Sequence, residues 1–133
     1  DPGMQIGKGT LVAKRQNDSA AEDSLIICRF SSMAVSLENW SRILTAVTGK
    51  HYSARVLSQI GERIHNLERI INLKMGFSRK DDSLPPKLLK EYLGEEKIDL
   101  DVMLNEYYEF RGWDKDGIPT IDKLRELELE DFL

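Results

Sequence analysis

The chain has 133 residues, 41% of them hydrophobic and 32% charged, with a formal net charge of −4. That length makes one domain burying roughly two-thirds of its unfolded surface, and the composition excludes a disordered tail. Interspersed acidic and basic residues exclude the basic patch of a nucleic-acid binder, and no apolar run approaches the ~20 residues of a membrane span.

The first expected helix runs from about Thr10 to Glu22, with Leu11 and Val12 ahead of a polar middle. It leads into Asp23-Ser24-Leu25-Ile26-Ile27-Cys28. Ser36 is an N-cap residue for Leu37 to Val47, where Leu37, Trp40, Leu44 and Val47 recur at helical spacing, and Gly49 stops that helix. The strongest pattern follows Ser53. Val56 or Leu57, Ile60, Ile64, Leu67 and Ile71 form an apolar stripe, Arg55, Glu62, Arg63, Glu68 and Arg69 take the other sides, and Gly76 ends the helix.

Leu84-Pro85-Pro86 halts any continuing helix, and a short helix over 86–93 precedes a loop at 94–97. A further helix spans Leu100 to Arg111 with Leu100, Leu104, Tyr107 and Tyr108 inward. Trp113 to Pro119 reads as a turn, and Thr120 caps a last helix to about Leu127. No repeat or convincing strand appears. The fold expected is all-α, an irregular multi-helix single domain of five or six helices. Asp1-Pro2-Gly3, ahead of Met4, reads as an expression scar.

Few residues carry evident chemistry. Cys28 is the only cysteine, so no intrachain disulfide framework exists. With no secretory signal pattern either, the simplest compartment is a reducing cytoplasm. A lone cysteine is most often a small buried hydrophobe. His51 and His65 have neither helical metal-pair spacing nor cysteine partners. Asp114-Lys115-Asp116-Gly117 opens like a calcium loop, but position 123 is Lys where a glutamate is required. Glu62, Glu68 and Glu109 read as residues of solvated helix faces, and Trp40, Tyr107, Tyr108 and Trp113 as core. No nucleophile–base set or phosphate loop is present.

Three stretches together carry a resemblance. They are Asp23 to Phe30; Gly61-Glu62-Arg63-Ile64-His65-Asn66-Leu67-Glu68-Arg69 continuing through Asn72 and Gly76 to Pro85; and Leu100-Asp101 through Tyr107-Tyr108 to Trp113-Asp114 with Gly117-Ile118-Pro119-Thr120. In this order and spacing the chain, from about residue 8, resembles the C-terminal helical domain of the tungsten-containing aldehyde ferredoxin oxidoreductases.

The resemblance implies an enzyme that oxidises an aldehyde with water to a carboxylate and passes electrons through a four-iron, four-sulfur cluster to ferredoxin. The metal is tungsten, or molybdenum, held by two pterins. An N-terminal β domain and a second helical domain complete the enzyme and are the implied partners. The family motif is Asp-x-x-Gly-Leu-Cys. It implies that Asp23 accepts hydrogen bonds from pterin N–H groups, that Ile27 takes the place of the motif leucine beside the cofactor, and that Cys28 is one of four cluster ligands. A carboxylate accepts paired N–H donors well, and a thiolate is the ligand iron takes in such clusters.

Two departures stand out. Ile26 occupies the family glycine, where a β-branched residue replaces one tolerant of positive φ. At His65 the family pattern is usually aromatic. Because the chain supplies one cysteine of four, it is expected to be inactive and free of cofactor in isolation. Three readings follow: part of a larger oxidoreductase, a stand-alone helical interaction module, or a small subunit joined to a separate polypeptide. An exposed apolar surface fits the first and third, and a closed polar one the second.

Overall fold

The computed structural model describes residues 5–90 and 98–132. The expected loop at 94–97 and the leading Asp1-Pro2-Gly3 lie outside the described residues. Among those residues there are six α-helices and no β-strand, with one isolated bridge between Trp113 and Pro119. The helices are α1 (Lys8–Ser24), α2 (Leu37–Thr48), α3 (Ala54–Lys74), α4 (Pro86–Lys90), α5 (Leu100–Arg111) and α6 (Ile121–Glu126).

The expected caps form. Ser36, Ser53 and Thr120 accept hydrogen bonds from the amides of Asn39, Val56 and Lys123, satisfying donors that a helix start leaves open. Gly49 and Gly112 end α2 and α5 in the left-handed conformation that costs other residues most. The Asp114 turn is closed by its own side chain: Asp114 Oδ1 accepts from the amides of Asp116 and Ile118, both at 2.9 Å.

Although α1 has the weakest apolar pattern, it is central, packing against both α3 and α5. Its buried positions are Gly9, Ala13, Asn17, Ala21 and Glu22, mostly small residues that let neighbouring backbones approach closely. The helix starts at Lys8, two residues before the expected Thr10. Its first turn is capped from α5, where Glu106 accepts from the Gly7 amide at 2.9 Å, the Gly9 amide at 3.2 Å and the Thr10 hydroxyl at 2.9 Å. A carboxylate at that position also meets the positive end of the helix dipole.

The apolar core lies at the other side of α3. Ile70 packs with Leu124, Leu127 and Leu129, with Leu67 against them. Here the structure corrects the expected face of α3. Its buried residues are Leu57, Gly61, Asn66, Arg69 and Ile70, whereas Ile60 and Ile71 of the expected stripe are exposed. Arg69 turns inward because a full set of partners awaits it: Nε donates to the Gly117 carbonyl at 2.8 Å, and the two terminal nitrogens bind the Asp82 carboxylate at 2.9 and 2.7 Å. A buried guanidinium satisfied this way also lies 4.9 Å from the Trp113 ring centre.

Glu62 is likewise drawn off the solvated face, into a 3.1 Å ion pair with Lys123. On α2 only Ser41 is fully buried, and Val47, expected inward, is exposed. The expected inner side of α5 holds, with Tyr108 buried and Leu100, Leu104 and Tyr107 half-buried. Tyr107, Tyr108 and Trp113 form an aromatic cluster with ring centres 5.6–6.2 Å apart.

Candidate functional site

The Asp23–Cys28 segment is the C-terminal exit of α1. Asp23 lies in the last turn, exposed, and its main-chain carbonyl accepts the Ile26 amide at 3.0 Å. No hydrogen bond or ion pair engages its carboxylate among the described residues. Ile26 follows with φ of 57° and its side chain 94% exposed. This is the left-handed region, so the isoleucine holds the conformation for which a glycine is the unstrained choice. Ile27 is half-buried, and Cys28 is an exposed free thiol. The Cys28 carbonyl accepts the Ser31 amide at 2.9 Å, fixing the short 3₁₀ turn Arg29–Met33. The exposed thiol removes the reading of Cys28 as a buried core residue.

Apolar side chains crowd this exit. Besides Ile26, Phe30 is 79% and Met33 84% exposed. Three large apolar groups are thus presented to water within eight residues.

Asp23 lines an open groove of about 380 Å³ between α1 and α3, together with Ser19, Ser24, His65 and Glu68. A second, larger groove of about 560 Å³ runs between α1, α3 and α5, its floor made by Tyr107, Tyr108 and Trp113 and its walls by Val12, Met103 and Leu104. Gln16, His65 and Glu68 line both. Sequence spacing puts His65 and Glu68 on one helix face at i and i+3, but nothing local signals the third member, Gln16.

Behind the shared wall, Arg111 is fully buried. It donates to Asn17 Oδ1, to the Ala13 carbonyl at 3.2 Å and to Gln16 Oε1 at 2.8 Å, all uncharged acceptors. Tyr108 donates to Asp82, and its phenol is pushed up to about 12 by burial and then by that carboxylate. Among the described residues no group of three or more His, Cys, Asp and Glu side chains could hold a metal ion, and no helix is long and apolar enough to cross a membrane.

Residues 1–129 match the family model for domains 2 and 3 of aldehyde ferredoxin oxidoreductase. The chain belongs to that family. The tungsten-containing aldehyde ferredoxin oxidoreductases of Pyrococcus abyssi and Pyrococcus horikoshii are each 36% identical over 132 residues, covering 95% of this chain and 22% of theirs. An aliphatic sulfonate oxidoreductase, WOR-like subunit, of Pyrococcus furiosus is 31% identical over 121 residues, 79% of this chain and 19% of the relative. The chain thus spans about a fifth of the length of these curated relatives. In fold it is like a solved active-site complex BamBC of benzoyl coenzyme A reductase bound to 1,5-dienoyl-CoA, with a TM-score of 0.77 at 22% identity over 93% of this chain and 19% of that one.

The donor set at the α1 exit fits the cofactors that the family's Asp-x-x-Gly-Leu-Cys motif implies. Its carboxylate and thiol are both exposed and uncommitted, and the intervening backbone has the positive φ that the motif glycine would supply.

Proposed function

We propose that this chain is the C-terminal part of an aldehyde:ferredoxin oxidoreductase, and that it contributes one pterin-contacting carboxylate and one iron–sulfur cysteine. The observation that carries this reading is the exit of α1: Asp23 and Cys28 stand exposed on either side of a left-handed Ile26. In it, Asp23 accepts N–H groups of a pterin ring, Ile27 gives its backbone and half-buried side chain to the same contact, and Cys28 as thiolate is one of four ligands to a 4Fe–4S cluster. When bound, the tungsten or molybdenum bis-pterin supplies the redox centre for aldehyde oxidation, and the cluster carries electrons on to ferredoxin. The remaining three cysteine ligands, the β domain and the second helical domain are not in this chain, so the isolated chain is inactive. A cytoplasmic location follows from oxygen-sensitive, reduced thiolate chemistry.

The exposed Ile26, Phe30 and Met33 favour a chain completed by further protein over a stand-alone interaction module. Antibodies against this chain, used without oxygen on the source cells, capture the native form for mass and metal analysis. A polypeptide several times larger than 15.3 kDa with iron and tungsten supports the reading. A small metal-free polypeptide without a partner overturns it. In the complete enzyme, Cys28→Ala loses the cluster and ferredoxin reduction, and full iron content in that variant sinks the role of Cys28.

A further inference from the structure

His65 presents both ring nitrogens to hydrogen-bond acceptors. Nε2 lies 3.1 Å from the main-chain oxygen of Gln16 on α1, and Nδ1 lies 3.2 Å from Glu68 Oε2 one turn along α3. A neutral imidazole has one N–H and one lone pair, so it satisfies only one of these partners. The Gln16 oxygen belongs to helical backbone and cannot turn away, so it takes the Nε2 proton. The Nδ1 lone pair then faces a carboxylate lone pair. Only the imidazolium, with two N–H donors, satisfies both sides. Glu68 is the adjustable member, because its side chain is exposed and free to rotate into solvent.

The charged and titratable groups around the ring come from all three packed helices: Glu68 on α3, Asp23 at the rim of the groove on α1, and Arg111 and Tyr107 on α5 behind Gln16. Burial, followed by the Arg111 guanidinium, holds the imidazole below its ordinary value of 6.5, while Glu68 and the Gln16 carbonyl oppose that shift.

We propose that His65, anchored to α1 through Gln16 in both protonation states, is a protonation-controlled latch for Glu68 in the wall shared by the two grooves. Neutral, it holds Gln16 alone and releases Glu68, widening the junction between the Asp23 groove and the aromatic groove. Protonated, it holds Glu68 along α3 at 3.2 Å and narrows that junction. An aromatic ring at this position makes neither contact, so the latch depends on histidine being there.

The test is histidine C2-proton exchange, read by mass spectrometry across pH on the complete polypeptide that carries this chain, with exposed His51 in the same digest as control. The His65 midpoint falls below the ordinary histidine value. In Glu68→Gln it falls further, by about half a pH unit or more, because the amide N–H donates to Nδ1 and favours the neutral ring. The exposed position of Glu68 lets that variant fold. A His65 midpoint that is unchanged or raised in Glu68→Gln overturns the latch. The outcome does not depend on whether the cofactor assignment holds.

Discussion

Gly61 and Asn17 touch so closely that a β-carbon on Gly61 would sit 1.8 Å from the Asn17 carbonyl oxygen. The obstacle is helix backbone, which cannot rotate aside. Gly61→Ala gains about 1 kcal/mol of helix propensity, but it forces α1 and α3 apart at their crossing. The expected net loss is about 2–4 kcal/mol, a fall in Tm of roughly 5–15 °C. Thermal unfolding followed by circular dichroism checks it, and a variant as stable as the parent would show that the helices separate at no cost.

Ile26 gives the opposite sign. Its left-handed φ costs a non-glycine residue about 1–2 kcal/mol, and its exposed side chain loses no burial on removal. Glycine returns part of the gain as unfolded-state entropy. Ile26→Gly is therefore expected to stabilise the chain by about 0.5–1 kcal/mol in a denaturant titration. Destabilisation would mean that Ile26 makes a contact not visible in its exposure.

Asp82 holds the buried Arg69 and also accepts the Tyr108 hydroxyl. Asp82→Ala leaves a guanidinium without its counter-charge and costs about 3–5 kcal/mol. Replacing Arg69 by Met in the same background recovers much of that loss, because most of the penalty is the stranded charge rather than the lost pair. A double-mutant cycle reads the coupling, and additive losses would refute it.

Glu106 sets an acid limb. Desolvation pushes its carboxyl up, but the Thr10 hydroxyl and the Gly7, Gly9 and Thr10 amides outweigh this and hold it below the usual carboxylate range. A carboxyl whose folded pKa is depressed stabilises the fold above its unfolded pKa, and that stability is lost as pH falls through the folded value. Wild type is thus expected to be more stable than Glu106→Gln at neutral pH, with the two melting curves converging below about pH 4. A difference independent of pH would mean that shape, rather than charge, matters at the start of α1.

The fold was legible where signals are local. Ser36, Ser53 and Thr120 announced helix starts, Gly49 and Gly76 marked helix ends, and the helical spacing on α5 gave its inner side. The face of α3 was not legible, because its burial is decided by Asp82, Gly117 and Trp113, which lie far along the chain from Arg69. Nor was the central place of α1, since small residues leave no hydrophobic stripe to read. At the candidate site, Asp23 and Cys28 were found by motif resemblance, and Ile26 was flagged as a misfit for a position wanting positive φ. The structure gives it that φ. Residue spacing excluded His65 from a metal pair but could not show its contact with Gln16, which is 49 residues away.

The close glycine contacts on α1 have a mechanical consequence. With Gly9 set against the α5 backbone and Gly61 set against Asn17, the helix is clamped on two flanks and behaves as a fixed spindle. The position of Asp23 on its final turn is then inherited from the interior. Beyond Ser24 the chain leaves the spindle, so a substitution there changes the exit without disturbing either helix crossing.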